Sequence, residues 1–154
     1  MLCFNGELNS TYNVRMDLIL MAYTKDLEKE LSILQIVHKR FKKSSVAWHY
    51  RRSVFLLAFT RQIEKLKDKL RSKTKVEGDD FNQLKAFLTR ESDRLDDIIL
   101  KHGRSYKIWE YYIHILYYSY RQLTDFRVSI DSEFKDSTSS LKESIESELE
   151  IFIV

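Results

Sequence analysis

No proline occurs in this chain, and glycine stands only at Gly6, Gly78 and Gly103. A sheet of comparable size must turn every few residues, and Pro and Gly supply much of the backbone geometry those turns require. The expectation that follows is an all-helical fold, whose long elements need few turns. Hydrophobic spacing agrees. Leu27, Leu31, Leu34, Val37 and Phe41 recur at helical intervals, and Trp48, Phe55 and Phe59 do so in the next segment. Phe81, Leu84, Leu88, Leu95 and Ile98 form a third stripe, and Trp109, Ile113, Leu116, Tyr120 and Leu123 a fourth. The first two segments join near "FKKSS". In "KHGRS", Gly103 stands where a helix would stop and Ser105 where the next could be capped.

The phrase "KKSSVAWHYRRSVF" at residues 42–55 returns as "RSYKIWEYYIHIL", with Trp109 in the place of Trp48. A fainter and earlier copy, "NSTYNVRMDLI", has Tyr12 in that place. Each copy opens the second helix of a predicted helical pair. One such pair cannot cover its own apolar faces, so stacked pairs must supply the core. The expected architecture is an α-α solenoid, a right-handed superhelix of about three hairpins over residues 1–125. The step from Trp48 to Trp109 is longer than that from Tyr12 to Trp48, which implies an insertion around 61–80 that lengthens a helix and ends in a loop at Gly78. An acidic segment, 126–154, follows, with the pattern of a terminal helix.

With 154 residues, 44% of them hydrophobic, one domain can bury a sizeable core without a disulfide or metal. The formal charge of +3 points to no particular partner, although "RQIEKLKDKLRSKTK" from Arg61 to Lys75 is strongly basic. RNA binding through that segment is one reading of it, and a solvated helix face is the plainer one. Cys3 is the only cysteine, which suits a reducing compartment and excludes an intrachain disulfide. The opening "MLCFNGELNS" lacks the basic region and apolar run of a signal peptide, and no 18-residue apolar stretch occurs, so a soluble cytoplasmic protein is expected. His38, His49, His102 and His114 have no zinc-protease spacing, so no metal is expected in this chain. No glycine-rich phosphate loop or Gly-x-Ser-x-Gly turn is present. The pairs Asp79/Asp80 and Asp96/Asp97 fall where polar helix faces and loop ends would put them.

The recurring phrase resembles the P-K-x-Y-x-x-W-x-x-R repeat of protein prenyltransferase α subunits over residues 1–123, and is most similar to the α-like subunits of geranylgeranyltransferases. Trp48 and Arg51 match it in the second copy, and Tyr12 and Arg15 take those places in the first. The third copy has Trp109, with Tyr112 where the Arg would stand. The resemblance implies a non-zinc-binding subunit of a heterodimeric enzyme, inert alone, that transfers a geranylgeranyl group to a cysteine near a protein substrate's C-terminus. The partner β subunit would hold the zinc and the isoprenoid diphosphate, and this chain would stabilise it and shape substrate access. Arg104 and Tyr106, five and three places before Trp109, are the residues the resemblance sets at the rim of the active site. A non-enzymatic helical-repeat adaptor is the alternative.

The repeated Trp and Arg also have a purely architectural reading. An indole can fill the gap between hairpins, and a guanidinium can pair with a carboxylate of the next unit. Tyr111, Tyr117 and Tyr118 fall off the fourth stripe, so a partner or a further repeat is expected to cover them.

Overall fold

A computed structural model of the chain describes residues 12–17, 26–41, 43–72, 78–102 and 105–133. Every described segment is helix or the turn beside one, and among these residues there is no strand. Residues 12–17 are helical, and four longer helices follow: α1 Leu27–Arg40, α2 Ser45–Arg71, α3 Gly78–His102 and α4 Tyr106–Glu133. Asp26 caps α1 by accepting from the Lys29 backbone N–H at 2.9 Å. Ser44 does the same for α2, accepting from the Ala47 N–H at 3.2 Å. These caps satisfy donors that the first turn of a helix leaves without partners.

The charge-rich stretch from Arg61 is part of α2, which continues unbroken to Arg71. Gly78 is the first residue of α3, and residues 73–77 lie outside the described residues. Side chains from the basic segment lie along α2, where Lys67 pairs with Glu64 and Lys69 with Asp80. Lys73 and Lys75 lie outside the described residues.

Two compact units form. One unites the described residues up to Ala58 with Glu91–Ile115, and the other unites Phe59–Arg90 with residues from Leu116 onward. In the first, Leu31, Leu34, Val37, Trp48, Val54, Phe55, Leu95 and Ile98 are buried. There α1 and α3 run parallel, since Ser32 meets Arg94 and Gln35 meets Asp97. In the second, Phe59, Ile63, Leu66, Phe81, Leu84, Phe87, Leu123 and Phe126 are buried. Here α2 and α3 run antiparallel, because Lys69 reaches Asp80 while Phe59 lies against Phe87.

The first three apolar stripes are core, with Phe41 and Leu88 at its margin. The fourth is not. Ile108, Tyr111, Ile115, Ser119, Leu123 and Phe126 form the buried face of α4, while Trp109, Ile113, Leu116 and Tyr120 are exposed. Tyr111, expected off the stripe, is buried, and Tyr118 is half-buried and hydrogen-bonded to Thr60 at 2.9 Å. The reason is compositional: "IWEYYIHILYYSY" is apolar or aromatic on nearly every side, so spacing alone does not fix which side faces inward.

That phase is testable by substitution. Ile115→Ala should destabilise by about 2–5 kcal/mol in urea unfolding, the usual cost of emptying a buried site. Ile113→Asn, on the solvent side of the same helix, should stay within about 0.5 kcal/mol of the parent.

Candidate functional site

The recurring motif residues converge on two buried carboxylates. Arg15 grips Glu30 with both ends of its guanidinium, Nη2 to Oε2 at 2.6 Å, and the Tyr50 hydroxyl donates to Glu30 Oε1 at 3.0 Å. Arg51 grips Glu91 in the same way, Nε to Oε1 at 2.8 Å and Nη2 to Oε2 at 3.0 Å. The Tyr111 hydroxyl donates to Glu91 Oε1 at 2.7 Å. Along the chain, Glu91 follows Glu30 and Tyr111 follows Tyr50 by the same step that takes Trp48 to Trp109. The structure therefore contains one three-residue device twice: an Arg from one motif copy, and a Glu and a Tyr from the hairpin that follows.

The second device is the more deeply buried, with both charged side chains fully enclosed. Burial by itself would lower the Arg51 pKa, but Glu91 and then Tyr111 more than offset it, and the guanidinium is held above its ordinary value. Burial, followed by the Glu91 charge, pushes the Tyr111 phenol well above its usual range and keeps it protonated as a donor. Arg94 adds a longer contact to Glu91 at 3.4 Å. Bidentate geometry and added donors are what make an enclosed ion pair tolerable in a medium of low dielectric constant.

An aromatic stack seals the same region. The His38 ring lies on Trp48 with centroids 3.7 Å apart and planes at 11°, and Tyr111 packs on Trp48 at 5.3 Å. Tyr12 meets Tyr50 at 5.0 Å in the preceding copy. His38 is fully buried and neither ring nitrogen is hydrogen-bonded. Burial, and secondarily the Arg51 charge, drive its pKa well below the ordinary imidazole value, so it is neutral in the folded protein.

Outside this core, Ser45, Trp48, His49, Arg52, Lys107 and Glu110 line a groove of about 130 Å³ beside the first turns of α2 and α4. Arg52 donates to His49 Nδ1 at 2.7 Å, and Lys107 pairs with Glu110 at 3.0 Å. Burial and the Arg52 charge lower the pKa of His114. A wider groove, of about 470 Å³, opens between residues 12–17 and the start of α2, and His49 lines both. Arg52, Lys107 and Glu110 are the charged side chains of the smaller groove, and Lys107 and Glu110 offset each other. No hydrogen-bonded pair of nucleophile and base lies among the groove's lining residues. No group of three or more His, Cys, Asp or Glu among the described residues could hold a metal ion.

Of the residues read from sequence, Tyr12, Arg15, Trp48 and Arg51 are joined in these contacts. Trp109 is 43% exposed and packs against Tyr112 with ring centroids 6.2 Å apart and planes at 90°. Tyr106 is the first residue of α4 and 75% exposed, and Arg104 lies outside the described residues. The sequence reading missed Glu30, Glu91, Tyr50, Tyr111 and His38. The first four carry a signal, the step they share with Trp48 and Trp109, whereas His38 has none, since the same step leads from it to Ile99.

Removing one member of the enclosed pair should be far worse than replacing all of it. Glu91→Leu should cost about 3–5 kcal/mol by urea unfolding, because it strands a buried guanidinium. The triple substitution Arg51→Met, Glu91→Leu, Tyr111→Phe should recover most of that loss. His38 gives a pH dependence of definite sign. Its folded pKa lies below the unfolded value of about 6.5, so stability is full above that pH, falls as pH drops below it, and levels off only below the folded value. Urea midpoints measured from pH 7.5 to 5 should show this fall in the parent and a flatter curve in His38→Phe.

Comparison with protein-family models, with curated proteins and with solved structures finds no match to this chain.

Proposed function

We propose that this chain is a helical-repeat subunit that works through a partner, and that the partner is the catalytic β subunit of a protein prenyltransferase. The observation that carries this reading is the repeated Arg–Glu–Tyr device, whose two arginines, Arg15 and Arg51, are among the residues on which the resemblance to prenyltransferase α subunits rests. A subunit of that kind needs consecutive hairpins held in fixed register, and a bidentate ion pair fixes register more sharply than apolar contact alone. The solenoid form belongs to the same proposal and is supported by the parallel run of α1 and α3.

On this reading the chain contributes no zinc ligand and no nucleophile. It holds the β subunit, which supplies the zinc, the isoprenoid diphosphate pocket and the substrate thiolate. The resemblance sets Arg104 and Tyr106 beside the diphosphate, and negative charge leaving with that group favours a preorganised cation there. A non-enzymatic adaptor is the second reading. It is favoured by the full burial of Arg51 against Glu91, which leaves that motif residue out of solvent and out of the grooves.

Purification of the chain from its native cell should bring a prenyltransferase β subunit with it. In the purified heterodimer, Arg104→Ala should slow single-turnover prenylation about a hundredfold or more while leaving assembly intact, the usual effect of losing one preorganised charge contact. Tyr106→Phe should cost about tenfold or less, since one neutral hydrogen bond is worth about 1 kcal/mol. Equal rates in parent and Arg104→Ala would remove this turn from the active site, and failure to recover any β subunit would leave the adaptor reading in its place.

A further inference from the structure

Between α1 and α2 the chain carries a run of charge that the repeat does not use. Lys42 and Lys43 stand three and two positions before Ser45, and Val46 follows it. Of all the serines and threonines in the chain, Ser45 alone has a Lys or Arg at both of those positions. Two cations, a small residue, a hydroxyl and then an apolar side chain make the pattern that basophilic protein kinases select, because their substrate clefts are acidic where the two cations bind. Arg40 adds a further cation on the same side of the serine.

The structure separates the two adjacent serines. Ser44 is 2% exposed and is occupied in capping α2, its Oγ accepting from the Ala47 N–H. Ser45, the first residue of α2, is exposed, and so is Lys43. A kinase takes its substrate as an extended strand, and the end of a helix opens at little cost. Beyond Ser45 lies a cation with no anion of its own. Ser45 and Arg52 line the same groove, in which Lys107 and Glu110 offset each other. Arg52 instead donates to an imidazole nitrogen of His49, and among the described residues it is paired with no carboxylate.

We propose that Ser45 is a phosphorylation site for a basophilic serine kinase, and that Arg52 receives the phosphate. Transfer forms a bond from Ser45 Oγ to the γ-phosphorus of ATP and breaks the bond from that phosphorus to the bridging oxygen. ADP leaves, and the hydroxyl proton passes to the kinase's catalytic aspartate and then to water. The phosphoserine brings about two negative charges and three acceptor oxygens, which a guanidinium fork matches. Arg52 stands seven residues after Ser45, two helical turns along the same side of α2. Long side chains on a helix lean toward its N-terminus, and the reach of Arg52 back to His49 shows that lean here. The proposal is independent of the prenyltransferase reading, since no part of it involves a β subunit.

The test treats the full chain with magnesium, ATP and the catalytic domain of a kinase of this class. Intact mass should rise by one phosphoryl group, and peptide fragmentation should place it on Ser45. Ser45→Ala should abolish the transfer, and Lys42→Ala with Lys43→Ala should slow it at least tenfold. The phosphorylated chain should unfold at a urea concentration higher by roughly 0.5 M, and Arg52→Ala, which leaves the kinase pattern intact, should remove that rise. Proton NMR of His114 gives a second readout. Burial and then the Arg52 charge hold its pKa down, so a phosphate on Arg52 should move its titration to higher pH. No transfer to the folded chain, or a phosphate mapped to another residue, would overturn the modification site. A phosphorylated chain with the parent's urea midpoint and His114 titration would overturn Arg52 as its receiver.

Discussion

The enclosed contact between Arg51 and Glu91 is the constraint around which the neighbouring parts of the chain are arranged. A guanidinium and a carboxylate with no exposure to water are stable only if each finds its partners in fixed positions. Arg51 lies on α2, Glu91 on α3 and Tyr111 on α4, so one carboxylate ties three helices by hydrogen bonds of 2.7–3.0 Å. Apolar packing tolerates small slips of one helix against another, but this arrangement does not. A shift of α3 by a single position would turn Glu91 away from both donors.

The same logic explains why the device occurs twice. Arg15, Glu30 and Tyr50 repeat it one step earlier, with Arg15 partly exposed and the carboxylate still buried. An array built this way propagates in one direction, each motif Arg reaching for the Glu of the following hairpin. Tyr112 interrupts the series. Next to it, Leu116 and Tyr120 keep the apolar character of their counterparts on α2 but are exposed.

His38 adds a second constraint of a different kind. Its ring is held by stacking on Trp48 with no hydrogen bond at either nitrogen, close enough to Arg51 for that charge to oppose protonation. A neutral imidazole there behaves as a flat apolar side chain, and it leaves the one positive charge of Arg51 matched to the one negative charge of Glu91.

The helical class was legible from the lack of proline and from three apolar stripes, because α1 and α3 each have a polar side that leaves one inward orientation. The repeat was legible as well, since Trp48 and Trp109 mark it and a guanidinium paired with a carboxylate of the next unit was the architectural reading of Arg51. Sequence by itself did not orient α4, where aromatic residues on nearly every side make two orientations equally apolar. Only packing in three dimensions chose Tyr111 rather than Trp109 for the core. Nor did it find Glu30 and Glu91 among the chain's many acidic residues. What distinguishes those two carboxylates is burial against an Arg and a Tyr from other helices, and burial is a property of how helices meet, which no local spacing encodes.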